Sequence, residues 1–377
     1  MYKLKKTVLA TAISVLLGTG VAHAASSDKR IADLEDAAAV SEEAIAEMRE
    51  NMENALDVSG YADVEYIVEE GADSRFRMHH LSLFFQKKIT EKWNFFSEIE
   101  FEDAVKHDFG NATVTDVDGV NQKVAKGTAY GKIFVEAMNF TYQYRPDVMF
   151  RVGRMFTPAG IWSIDHYPPF VSTQERPKHI RNLFPQLIDG AVVFGTTGSG
   201  SVFVSYDAYI TNGDGNTGKG DKNQAKAYGG RGSLKLELPV VNEFEVGGSY
   251  YHDAKDSSNS DFARTAVGAH GKFSVAGLTV LGEGGFSRYK DANDVQQESR
   301  SGYYVQPSYA LGATTLGYRY DTYDKDRAND TNVVVNTLFA NYRFSPSLVA
   351  KVEYHMSGGT NQDEKTKTVF SLAAYLD

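Results

Sequence analysis

From about residue 57 to the end of the chain, apolar and polar side chains alternate. "VSGYADVEYIV" (58–68) places Ala62, Val64, Tyr66 and Val68 on one side and Tyr61, Asp63 and Glu65 on the other. "MNFTYQY" (138–144) sets Met138, Phe140, Tyr142 and Tyr144 against Asn139, Thr141 and Gln143. "GSLKLEL" (232–238) and "TLFANYRF" (337–344) repeat the pattern. A period of two is the signature of a strand with one apolar and one polar face. About 16 such segments fit between residues 58 and 376, each a little over ten residues long. Short links, such as 90–92, 145–147, 275–277 and 345–347, alternate with longer polar ones at 106–129, 212–226, 254–262, 290–299, 324–330 and 358–365.

Two architectures use this alternation. In a soluble sandwich the apolar faces pack on each other. In a transmembrane barrel they meet lipid, and the polar faces line a wet interior. Charge in mid-strand (Glu98 and Glu100, Arg231 and Lys235, Lys351 and Glu353) favours the barrel. So do aromatic residues near strand ends, at Trp93, Tyr142, Tyr144, Tyr342 and Tyr375, which suit an interfacial girdle. An open edge in lipid would leave backbone groups unpaired at several kcal/mol each, so the sheet must close. The expectation is an all-β, up-and-down antiparallel transmembrane barrel over 57–377. In "WNFFSEIEFED" (93–103), Glu98, Glu100 and Glu102 then form an acidic, lumen-facing wall. Trp93, Phe95, Ile99 and Phe101 face lipid. Simple hydration of the wall is the plainer role for those glutamates.

The first residues strengthen the membrane reading. Lys3, Lys5 and Lys6 precede the apolar run "TVLATAISVLLGTGV" and the small-x-small sequence Ala22-His23-Ala24. This predicts a cleaved export signal over 1–24. Over 25–56 the chain is rich in Ala and Glu. Ile31, Leu34, Ala38, Ser41, Ile45, Met48, Met52 and Ala55 follow three- and four-residue steps. That seam predicts a short periplasmic coiled-coil helix joining copies of the chain, with a solvated helix as the alternative.

Composition narrows the chemistry. The chain lacks cysteine, which removes disulfides, thiolate ligands and cysteine catalysis. Its formal charge is −10, so nucleic acid is not expected as a partner. No Ser–His pair has a distinctive spacing, and no enzymatic activity or cofactor is expected. "GDGNTGKG" (213–220) has Gly220 where a phosphate-binding loop needs Ser or Thr. His79 and His80 are neighbours on a strand, so strict alternation turns them to opposite faces and predicts no metal site.

The longest stretch without alternation, 157–188, holds Pro158, Pro168, Pro169, Pro177 and Pro185, five of nine prolines. Such a stiff, partly apolar loop suits the barrel interior better than an exposed surface. It carries Arg176, Lys178 and Arg181, with Asp165, Glu175, His166 and His179 nearby. Arg151 and Arg154 precede it. These five cations are the candidate basic constriction, which would favour anions. Loop-packing ion pairs are the other reading of the same residues.

"FRVGRMFTPAG" (150–160), "YITNGDG" (209–215) and the N-terminal heptads resemble trimeric Gram-negative outer-membrane porins. In style they are similar to the phosphate-selective group and to DcaP-like porins with an N-terminal coiled coil. The resemblance implies a homotrimer in outer-membrane lipid, passing small hydrophilic, anion-leaning solutes. A barrel serving as a structural anchor or as an enzyme is the alternative. The dense basic pattern of a phosphate-specific pore is absent, so phosphate selectivity is not implied.

Overall fold

The computed structural model describes residues 55–115, 121–215, 221, 223–326, 328–329, 331–360 and 364–376; of residues 104–130 only the backbone course is described. The expected export signal and all but the last two residues of the expected coiled coil lie outside the described residues. Residues 56–377 form one compact unit.

Sixteen strands run in order: β1 (Asp57–Glu69), β2 (Arg75–Lys88), β3 (Trp93–Thr115), β4 (Asn121–Arg145), β5 (Val148–Phe156), β6 (Leu187–Ser199), β7 (Val202–Thr211) and β8 (Ala227–Leu238). Then follow β9 (Val241–Asp256), β10 (Phe262–Val275), β11 (Leu278–Lys290), β12 (Gln296–Leu311), β13 (Thr314–Asp324), β14 (Asn332–Ser345), β15 (Leu348–Gly359) and β16 (Lys367–Leu376). Each pairs antiparallel with its sequence neighbours, and β1 pairs with β16 to close the barrel. Closure leaves no strand edge unpaired.

Alternation decides which face meets what. On β1, Tyr61, Asp63, Glu65 and Ile67 point inward and are buried, while Val64 and Val68 are exposed outside. On β14, Val333, Val335, Thr337 and Phe339 are buried inside, and Leu338 and Tyr342 stand outside. An apolar outer band with a polar inner face is the arrangement lipid and water together impose. Trp93, Tyr144 and Tyr342 are exposed on the outer face, and Tyr142 stacks on Trp93 with ring centroids 5.0 Å apart. Tyr375 departs from the expected girdle. It shares the inward phase of the buried Val369 and Ala373, and its ring lies 5.4 Å from that of Phe170 inside the barrel.

The short and long links also separate as the sequence suggests. One exception is 106–129, read above as a loop. Here β3 and β4 continue as a 23- and a 25-residue ladder, leaving 116–120 between them.

Among the register shifts of the barrel, those in β2 and β4 re-aim charged side chains. Asp63 pairs with His80 but Val64 pairs with Met78, so His79 is an extra residue. Glu98 pairs with Ala137 but Ile99 pairs with Val135, so Glu136 is another. A bulge re-aims side chains that strict alternation would separate.

A charge on the outer band tests this sorting. Leu338→Arg places a guanidinium in mid-strand on the lipid face and should lower the unfolding free energy in lipid vesicles by about 2–4 kcal/mol. Urea titration followed by tryptophan fluorescence checks it; a change below about 0.5 kcal/mol would contradict the assignment of that face.

Candidate functional site

Between β5 and β6 the chain makes a 30-residue excursion, residues 157–186, into the barrel. Its apolar side chains anchor it. Ala159, Leu183 and Phe184 pack with Met155, Ile188, Val192, Tyr209, Tyr251 and Ala266 of the wall. Trp162 and Ile180 pack on Tyr304. Each such side chain contributes about 1.5–3 kcal/mol when fully buried.

A loop inside a barrel has no sheet to satisfy its amides and carbonyls, so the wall must supply partners. The first turn depends on Gly160 (φ 62°), where a Cβ would lie 1.9 Å from Glu283 Oε2. This close approach lets the Ile161 and Trp162 amides donate to Glu283 at 2.7 and 2.9 Å. Further along, Lys351 Nζ donates to the carbonyls of Pro168 (2.6 Å) and Val171 (2.9 Å). Arg343 donates to Pro169 O, and Asn341 to Ser172 O. Arg319 donates to Thr173 Oγ1 and to Glu175 O. Glu353 accepts from the Gln174 amide, Lys367 pairs with Glu175, and Asp321 accepts from the Lys178 amide. Hydrogen bonds to charged groups are worth about 1.5–3 kcal/mol each, so this set fixes the loop's path firmly. At Pro168 and Pro169 the missing amides remove two donors that would have needed partners.

The five candidate cations do not act together. Arg176 and Arg181 sit on the loop and form no ion pair or hydrogen bond among the described residues. Arg181 lies on the short helix α1 (Ile180–Leu183), whose buried residues are Ile180 and Leu183, and is itself exposed. Enclosure in the barrel and the neighbouring Arg176 lower its pKa to about 10, so it stays cationic at neutral pH. Both guanidiniums act electrostatically on Glu136. Lys178 is neutralised instead, by Glu364 at 2.8 Å and Glu175 at 3.8 Å. Arg151 points inward, donates to Thr141 Oγ1 and lies over the Phe194 ring. Arg154 requires correction: it is on the outer face. It stands three positions after Arg151 on the strand, and it pairs in register with Asp189, binding that carboxylate at 2.8 and 3.0 Å. The pair sits in an outer groove with Met138, Val152, Ala191 and Ile210.

The acidic wall is also different from expectation. Glu98 and Glu100 do point inward, but they are 0% and 1% exposed, because the loop covers them. Ser82 and Tyr167 donate to Glu98, and Tyr61 donates to Glu100. They join Glu136, delivered by its bulge, in a buried carboxylate cluster rather than a wetted wall. Glu102 is half-buried beside Lys132 and Arg77. His166 and His179 are buried in the loop. Burial holds both well below the ordinary histidine value, His179 at about 3, so neither carries charge at neutral pH. The sequence reading named Lys351 and Glu353 only as mid-strand charge and missed that they, with Arg319, Arg343 and Glu283, hold the loop. The available signal was charge on the inward phase of the strands that face it.

No protein-family description and no curated protein sequence matches the chain. Solved structures do. Vibrio cholerae OmpT, an in-vitro folded outer membrane protein in trimer form, is 13% identical with a TM-score of 0.56, covering 85% of this chain and 99% of that one. Salmonella typhi OmpF in complex with daunomycin is 11% identical with a TM-score of 0.57, covering 86% and 98%. The anion-selective porin from Comamonas acidovorans is 13% identical with a TM-score of 0.55, covering 85% and 99%. The chain therefore shares the barrel fold of these proteins.

One loop contact is acid-sensitive. Burial opposes ionisation of Glu175, but Lys367, His355 and Lys178 outweigh it and lower its pKa to about 2. A depressed carboxylate pKa contributes stability above the ordinary value near 4.5, and that contribution is lost as pH falls toward about 2. In a Trp93→Phe background Trp162 is the one remaining tryptophan. Its emission should shift to the red between about pH 4 and 2, and Glu175→Gln should shrink that step. The same acid step in both proteins would contradict the assignment.

Proposed function

We propose that the chain is an outer-membrane porin that lets small hydrophilic solutes diffuse passively, with residues 157–186 as its constriction and a lean toward anions. The observation that carries this reading is the pair Arg176 and Arg181. They are borne into the barrel interior by a loop whose other nearby cation, Lys178, is already matched by carboxylates. Uncompensated guanidiniums in a narrow, weakly screened passage attract anions and repel cations. The fold likeness to an anion-selective porin supports the same direction. In this reading the protein is not an enzyme.

Assembly as a homotrimer belongs to the proposal. Its supports are the trimer form of one structural neighbour and the outward Arg154–Asp189 pair, an expensive feature against lipid but acceptable against another subunit. Residues 1–24 would then be the export signal, and 25–56 a periplasmic coiled coil joining the copies. A second reading, a sealed barrel acting as an envelope anchor, draws on the loop's bonds to so much of the wall, from Ser249 and Glu283 to Lys367.

Planar-bilayer recording separates the two readings. Stepwise conductance with a reversal potential of anionic sign in a salt gradient is expected from the purified protein. Arg176→Gln with Arg181→Gln should move that potential toward cations, whereas Lys178→Gln alone should leave it nearly unchanged. A silent barrel would favour the anchor, and an unmoved potential in the double variant would remove these arginines from the permeation path.

A further inference from the structure

The bulge in β2 assembles a group of side chains that strict alternation would have kept apart. His79 is the extra residue, and both His79 and His80 turn inward, with ring centroids 3.5 Å apart and planes inclined by 31°. The Nδ1 atoms of both rings converge on one buried carboxylate. His80 Nδ1 is 2.8 Å from Asp63 Oδ1, and His79 Nδ1 is 3.3 Å from Asp63 Oδ2. His79 Nδ1 is also 2.9 Å from Glu65 Oε1, while the other oxygen of Glu65 faces Arg77. One donor atom from each of Asp63, His79 and His80 falls within 4.8 Å of the others.

The long loop closes the group. Gln174 is buried, and its Nε2 lies 2.5 Å from Asp63 Oδ2 and 3.4 Å from His79 Nδ1. Its Oε1 is buried without any hydrogen-bond partner. An orphaned buried carbonyl carries a desolvation cost of about 1–3 kcal/mol. Turning the amide over would place Oε1 beside Asp63, two oxygens facing each other, an arrangement that only a cation between them makes favourable.

We propose that Asp63, His79 and His80, with Glu65 or the reversed Gln174 amide as a fourth ligand, form a binding site for a divalent transition-metal ion on the inner wall of the barrel. Around a four-coordinate zinc ion with bonds near 2.0–2.1 Å, adjacent ligand atoms stand about 3.3–3.4 Å apart. The imidazole–carboxylate separations of 2.8 and 3.3 Å need only small side-chain adjustments to reach that spacing. Two imidazoles with one or two carboxylates suit Zn²⁺, Ni²⁺ and above all Cu²⁺; Ca²⁺ and Mg²⁺ prefer an all-oxygen shell. Binding would displace the protons that hold the group together, and it would take Asp63 Oδ2 from Gln174, so the metal and the loop share this contact. The site does not depend on the proposed permeation, because it is defined by binding alone.

The test uses the full chain, purified in detergent without a histidine tag and stripped with EDTA. Zn²⁺ titration by calorimetry should give one saturable site per chain, unaffected by a hundredfold excess of Ca²⁺. Cu²⁺ at equal stoichiometry should show nitrogen coupling in its electron paramagnetic resonance spectrum. His79→Gln and His80→Gln, which keep a hydrogen-bonding side chain, should each weaken Zn²⁺ binding more than about tenfold. Together they should abolish the nitrogen coupling. Absence of a saturable Zn²⁺ site in the wild type would overturn the proposal, as would a Cu²⁺ spectrum without nitrogen coupling or unchanged binding in the double variant. The first two readouts need no variant, so a variant that fails to fold does not shield the proposal.

Discussion

A loop folded into a barrel gives up its hydration, and the rest of this structure follows from how that loss is made good. Each buried carbonyl and amide of residues 157–186 needs a partner, and there is no neighbouring strand to provide one. The inner wall answers with charge. Lys351 and Arg319 are 3% and 1% exposed, yet each is surrounded by loop oxygens rather than by an anion alone. Glu283 and Glu353 do the converse for loop amides. Wall charges that look like lumen chemistry in the sequence are therefore mostly structural. Of the loop's cations, Lys178 is matched by carboxylates, while Arg176 and Arg181 form no ion pair among the described residues.

This division also explains the acidic cluster. Glu98, Glu100 and Glu136 lie under the loop, with donors from Tyr61, Ser82, Tyr167 and Gln186. Arg176 and Arg181, on the loop, act electrostatically on this buried cluster.

Much of the barrel was legible because lipid and water impose a period of two that sequence displays directly. The strand count, the inward phase of Asp63 and Glu65, and the outward phase of Val64 and Leu338 follow from it. Arg154 was legible too: an odd spacing from Arg151 on one strand means opposite faces, and grouping them by charge ignored that. His79 and Glu136 were not legible, because a bulge leaves no mark in a single sequence and only pairing reveals the extra residue. For Glu98 and Glu100 the face was right and the environment wrong. Periodicity reports direction, whereas burial depends on where a distant loop comes to rest.

Under the proposed function, residues 157–186 present Arg181 to the solute path from inside the barrel. The chain has no cysteine, so Arg181→Cys creates a single reactive thiol. Treating one conducting channel with a bulky, membrane-impermeant methanethiosulfonate is the direct measurement. The account predicts an abrupt, reductant-reversible fall in current as the thiol is modified. Complete modification, verified by mass, with current unchanged would contradict it.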